Sequence, residues 1–177
     1  MGTGISGRYS KTKGGSQPYA DIYHVVREML EKDKKDPDVY NKETGYFNNP
    51  SAISLREARR GNKFHQRNGD VAQGEFTYVM DKRGEIIFGK RENPNNATGH
   101  APHPTLIGGK DPEVECAGII EFRDGRIFRA DNQSGHYKPD IRSLDKVEEY
   151  LQKLFEENPL SFYKFSKWRL NKWKTNN

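Results

Sequence analysis

At 177 residues the chain has the length of one ordinary domain, or of one domain with a tail. Hydrophobic residues make up 32% and charged residues 31%, so the core is lean, but 11% aromatics raise the area each core residue buries. The formal net charge of +5 and pI near 9.2 favour a polyanionic partner, although 25 acidic residues leave solubility as an equal explanation. Cys116 is the single cysteine, which excludes an internal disulfide and argues against a cysteine-based zinc site. No apolar run reaches the roughly 20 residues of a membrane helix, and no secretory pattern opens the chain. A cytoplasmic protein without a membrane span is expected, acting in its own or a target cell.

Residues 1–18 are rich in Gly, Ser and Lys and read as a flexible basic arm. The G-x-G-x-x-G match within them lacks a preceding strand, so it carries no dinucleotide-binding argument. Ile22, Val25, Val26, Met29 and Leu30 recur at helical spacing and predict an amphipathic helix, with His24 on its face. The stretch from Asp36 to Ser51 is loop-forming. Residues 51–63 predict a short basic helix capped by Ser51.

From Glu75 the pattern changes to strands. Two hairpins are expected, EFTYVMD with EIIFGK, and CAGIIEF with RIFRADN, the second turned at Asp124-Gly125. Between them runs a long proline- and glycine-rich loop, the kind that is often functional inside a compact domain. Ser143 to Asn158 predicts a second helix, with Ser143 as N-cap and Leu144, Val147, Leu151, Leu154 and Phe155 as its apolar stripe. The expected fold is α+β: a mainly antiparallel sheet of about four strands flanked by N-terminal and C-terminal helices, with the domain spanning 19–157 and a basic aromatic tail at 158–177.

Two clusters could carry chemistry. In SGHYKP, directly after a strand, Gly135 permits an unusual backbone and Pro139 fixes the exit, so His136 and Tyr137 are held with little freedom. Histidine suits proton transfer near neutral pH, and Ser134 and Tyr137 can orient a substrate. In GHAPHPTLIGGK, His100 and His103 lie three apart, but proline beside His103 rules out a helical metal pair, and no metal or cofactor is expected. Thr105, Gly108, Gly109 and Lys110 could approach a phosphate. If both clusters border one cleft, His103, His136 and Tyr137 become catalytic candidates, with Ser134, Thr105, Gly108, Gly109, Lys110, Lys138 and Arg129 as substrate contacts. RNA cleavage by 2′-OH attack needs a base, an acid and cationic stabilisation. The alternative for either cluster is a structural turn.

The ordered set HPTLIGG, CAGIIEF, DGRI and SGHYKP resembles the C-terminal domains of bacterial polymorphic toxins and related effectors, and the plant calmodulin-binding proteins that carry an IQ motif. The resemblance covers roughly His100 to Pro139, and SGHYKP is its most specific element. HPTLIGG departs from it, because small hydroxyl residues would follow the histidine. The resemblance implies a functional cleft at His136 and Tyr137 rather than a named reaction, and a toxin of this kind would have a cognate immunity protein as partner. A degenerate IQ-like stretch, Leu55 to His65, is more simply an ordinary basic surface helix than a site for a calmodulin-like partner.

The leading expectation is therefore a toxin- or effector-like enzyme acting on RNA or a nucleotide. One alternative is an NAD-consuming effector, a transferase or glycohydrolase drawing on Glu113, Glu115 or Glu121. Another is a non-enzymatic module binding nucleic acid or protein. The tail supports the module, since Phe162, Tyr163, Phe165, Trp168 and Trp173 interleave with lysines and an arginine. Phe162, Phe165 and Trp168 also have the spacing of one buried helix face.

Overall fold

The structure, a computed structural model, describes residues 5–6, 16–48, 52–91 and 101–163. In chain order the elements are β1 (Ile5–Ser6), α1 (Arg27–Asp33), β2 (Tyr40–Asn41), β3 (Tyr46–Phe47), β4 (Ile53–Ser54), α2 (Leu55–Ala58), β5 (Arg59–Arg60), β6 (Lys63–Phe64), β7 (Gly74–Met80), β8 (Ile86–Gly89), β9 (Cys116–Arg123), β10 (Arg126–Asp131) and α3 (Leu144–Glu157). The main sheet has the order β1-β10-β9-β7-β8-β4. Its five longer-range pairings are antiparallel except for β1, which lies parallel to β10. This is the α+β class expected from the sequence, with two short strands added at the sheet edges.

Both expected hairpins form. The second turns at Asp124 and Gly125 with φ of 53° and 74°, the paired positive values that a two-residue hairpin loop requires. At the centre, β7 and β9 align from Gly74 opposite Phe122 to Met80 opposite Cys116. Period-two alternation then sends Phe76, Tyr78, Met80, Ile120 and Phe122 to one face, and Thr77, Val79, Ala117 and Ile119 to the other.

Each face has its own core. On the first face, Phe76, Phe88 and Phe122 meet with ring centroids 4.9–5.6 Å apart. Leu144, Val147, Leu151 and Phe155 of α3 cover them. Phe162 packs edge-on to Phe155 at 5.4 Å, so the start of the aromatic tail does cap the core. On the second face, Tyr23, Leu106, Val114 and Tyr137 pack against Val79 and Ala117. Two segments without α-helix therefore supply much of this second layer: the N-terminal strap at 16–26 and the loop at 101–115.

Several local expectations change. The N-terminal helix is only Arg27–Asp33, because Tyr23 is drawn into the core as an extended residue, exchanging backbone hydrogen bonds with Val114 in both directions. The opening segment is tied down where it is described: Ile5–Ser6 pair with β10, and the Gln17 amide donates to the Lys138 carbonyl at 2.7 Å. The basic helix shrinks to Leu55–Ala58. Its cap is Ser54, whose Oγ accepts from the Glu57 amide at 3.1 Å; Ser51 lies outside the described residues. Gly61, at φ 65°, then turns the chain into the β5–β6 hairpin, so Leu55 to His65 cannot form an IQ-type helix. Ser143 precedes α3 but makes no side-chain cap. Its hydroxyl donates instead to the Tyr23 hydroxyl at 2.8 Å, and Asp140 caps the 3-10 turn Ile141–Ser143 that leads in.

Candidate functional site

SGHYKP lies on the second face, at the end of β10. Ser134 starts a tight turn: its Oγ accepts from the Tyr137 amide at 3.2 Å and its carbonyl from the Lys138 amide at 2.7 Å. The left-handed residue in this turn is Lys138, at φ 43°, and not Gly135, beside which a Cβ would meet nothing within 4 Å. The strap locks the turn from outside. The Val26 amide donates to the His136 carbonyl at 2.8 Å, and the Gln17 side chain donates to the Tyr137 carbonyl at 2.7 Å.

His136 is 6% exposed and faces Asp33, the last residue of α1, which is 2% exposed. Its Nε2 sits 2.9 Å from Oδ2 and 3.2 Å from Oδ1 of that carboxylate. The contact joins segments 103 residues apart, and nothing in the amphipathic pattern of residues 19–35 singled out Asp33 as a partner. An aspartate at a helix end is ordinarily solvated; its burial here is the signal that only the tertiary structure supplies. The contact with Asp33 runs through Nε2 alone and leaves Nδ1 outside it.

His103 approaches the same face from the loop. It opens a buried 3-10 turn, His103–Leu106, in which Thr105 Oγ1 donates to the Pro102 carbonyl at 2.7 Å. Nε2 of His103 lies 2.8 Å from the Gly118 carbonyl. A carbonyl can only accept, so this nitrogen carries the proton. Burial pushes the imidazole down to about 3, against the support of the Gly118 carbonyl, and the nearby His136 and Arg91 lower it further. His103 is therefore a neutral donor near pH 7, which does not suit it to serve as the general acid of a two-histidine pair.

The remaining candidates are largely engaged. Tyr137 is fully buried, and its hydroxyl donates to the Pro112 carbonyl. Gly108 and Gly109 have φ of 72° and 84°, but their amides donate to the carbonyls of Pro104 and Phe47 and are not directed at a phosphate. Arg129 donates from Nε to Glu121 at 2.8 Å and from Nη2 to Glu75 at 3.1 Å. Lys110 and Lys138 are not buried. Of the glutamates considered for an NAD reaction, Glu113 is paired with Lys82 at 2.7 Å and Glu121 with Arg129. His100 and the tail beyond Tyr163 lie outside the described residues.

The cleft expected between the two clusters is not among the described cavities. None of the three described cavities is lined by His136, Tyr137 or His103; the loop contributes Leu106 and Ile107 to one of them. The cause is Tyr137, whose ring fills the space between turn and loop as part of the second core. His24, expected on a helix face, instead lies in the strap with Nδ1 3.4 Å from Asp111 and Nε2 3.3 Å from Glu113. Among the described residues, these three are also the group whose ligand atoms converge closely enough for a cation, although Lys82 already occupies the other oxygen of Glu113. No helix among the described residues is long and apolar enough to cross a membrane.

Compared with known protein families, curated proteins and solved structures, the chain matches none.

Proposed function

We propose that the chain is a toxin- or effector-like domain that acts on RNA or a nucleotide by acid/base chemistry, with His136 as the proton-handling group and Asp33 as its positioning residue. The observation that carries this reading is the buried pair itself. With Nε2–H donating to the Asp33 carboxylate, the lone pair resides on Nδ1, which is then the nitrogen able to accept a proton. When Nδ1 takes a proton from a 2′-hydroxyl, the adjacent carboxylate stabilises the imidazolium that results. A histidine oriented by a carboxylate from a distant segment is an arrangement that recurs where proton transfer is needed.

The test combines toxicity on expression with turnover of a labelled oligoribonucleotide. A general base contributes about 100- to 10,000-fold, so His136→Gln should lose most activity while remaining folded. Asp33→Asn should lose less and should change the pH profile of what remains. Wild-type turnover in a folded His136→Gln protein would defeat the reading.

A second reading, a binding module for nucleic acid or protein, draws support from the complete burial of Tyr137 and from the described cavities, none of which His136 lines. It expects His136→Gln to bind the same oligonucleotide as the wild type, with no turnover by either protein.

A further inference from the structure

A cavity of about 570 Å³ opens beside β4 and β8, on the side of the molecule where α2 begins. That volume falls within the usual range of small-molecule sites, about 300–1,000 Å³. Ile87 and Ile107, which pack on the same face of the sheet, are partly exposed in the cavity and give it an apolar floor within an otherwise largely polar lining. Arg56, Arg67 and Arg83 line it as well.

The three carboxylates of the cavity all have hydrogen-bond partners, but only Glu85 is closely paired with a cation. Glu57 takes part in a reciprocal cap with Ser54, whose hydroxyl lies 3.2 Å from its Oε1. Asp81 Oδ1 accepts from the amides of Arg83 and Glu85, at 2.9 and 3.0 Å. Glu85 pairs with Arg56. Two of the guanidinium groups are less committed. Arg67 uses only Nε among the described residues, donating to the Ala52 carbonyl at 2.7 Å, which leaves the outer edge of its fork. Arg83 has an 88% exposed side chain and reaches Asp81 only at 3.9 Å.

We infer that this cavity binds a nucleoside phosphate, free or as the end of a strand, with the base on the isoleucine floor and the phosphate on Arg67 and Arg83. Planar guanidinium forks match phosphate oxygens, and an apolar floor beside them suits the face of a base. Arg67 is held by the Ala52 carbonyl before any ligand arrives, so its fork loses little freedom on binding. The inference agrees with the proposed action on RNA or a nucleotide, but it rests on the arginines and not on His136.

The test is equilibrium binding to the full chain, using AMP, inorganic pyrophosphate and a fluorescein-labelled five-residue oligoribonucleotide as probes. Saturable binding is expected for AMP or the oligonucleotide, and weaker binding for pyrophosphate, which lacks a base. Arg83→Glu, at an exposed position that does not threaten folding, should weaken binding by at least about tenfold. Arg67→Lys keeps the charge, loses the fork, and should also weaken it. AMP binding as tight as the oligonucleotide's would identify the free nucleotide as ligand; tighter oligonucleotide binding would identify a strand end. Turnover of the oligoribonucleotide is followed beside AMP affinity in the same proteins: turnover without AMP binding would count against this cavity alone, and AMP binding without turnover against the acid/base reading alone. Absence of saturable binding by all three probes, pyrophosphate binding as tight as AMP, or unchanged affinity in Arg83→Glu, would overturn the inference.

Discussion

Gly118 lies so close to Asp131 that a Cβ at Gly118 would sit 1.8 Å from the Asp131 carbonyl oxygen. The same carbonyl accepts from the Tyr78 hydroxyl at 2.6 Å, and the Tyr78 ring would be 2.9 Å from that Cβ. The obstacle is backbone and a locked ring, not the far end of a flexible chain. Gly118→Ala should therefore destabilise by about 3 kcal/mol or more, at the upper end of overpacking penalties. Urea denaturation checks this: the midpoint should fall clearly, and a midpoint equal to wild type would show that β9 and β10 can separate without cost.

Tyr137→Phe separates a structural tyrosine from a reactive one. The hydroxyl is buried and donates to the Pro112 carbonyl, so its removal leaves a buried acceptor unsatisfied. A loss of about 1–3 kcal/mol in stability is expected, with activity per folded molecule largely retained. A selective loss of activity at unchanged stability would return Tyr137 to the chemistry.

His103 gives the fold a defined pH response. Its folded value is depressed to about 3, whereas an unfolded histidine titrates near 6.5. Between those values the unfolded chain binds a proton that the folded chain does not. Stability from this group is thus complete above pH of about 6.5 and is lost as pH falls toward about 3, at a limiting slope of about 1.4 kcal/mol per pH unit. Carboxylates titrate in the lower part of that window, so the measurement is a difference: unfolding free energy against pH for wild type and for His103→Gln. The substituted protein should show the shallower decline by about one proton.

Cys116 should be inert in the native state. It is fully buried beside Tyr78, and burial pushes its thiol up to about 12. A thiol-specific reagent should label it slowly in the folded protein and at once in denaturant. Rapid native labelling would place the thiol at the surface. Cys116→Ala should leave activity intact.

The sheet was legible because its signals are local. Alternation from Phe76 to Met80, and the Asp124-Gly125 turn, are read within a few residues, and both formed as expected. The apolar stripe of α3 was legible for the same reason. The second layer was not, because its order comes from partners far along the chain. Tyr23 breaks a helical period to pair with Val114, and Asp33 is buried only because His136 arrives opposite it. The candidate site followed the same division. The sequence located a constrained turn at SGHYKP, but whether Tyr137 faced a cleft or filled one depended on Leu106 and Val114 packing against it. Gly135 drew the expectation of a strained backbone, while the left-handed residue is Lys138, for which composition gives no warning.

The strap across SGHYKP has a consequence for the order of assembly. Tyr23 receives the hydroxyl of Ser143 from 120 residues downstream, and Gln17 reaches the Tyr137 carbonyl over the same separation. During synthesis, residues 16–33 leave the ribosome long before their partners exist. Yet the strap, the loop at 101–115 and the turn at His136 all precede α3 in the chain, so the second face can be covered as soon as that turn is made. The cover of Phe76, Phe88 and Phe122 is residues 144–157, the last of the described α-helices to emerge. Until it docks, the first face is the bare apolar side of the nascent sheet, the one open to chaperone capture or to sticking to its own copies.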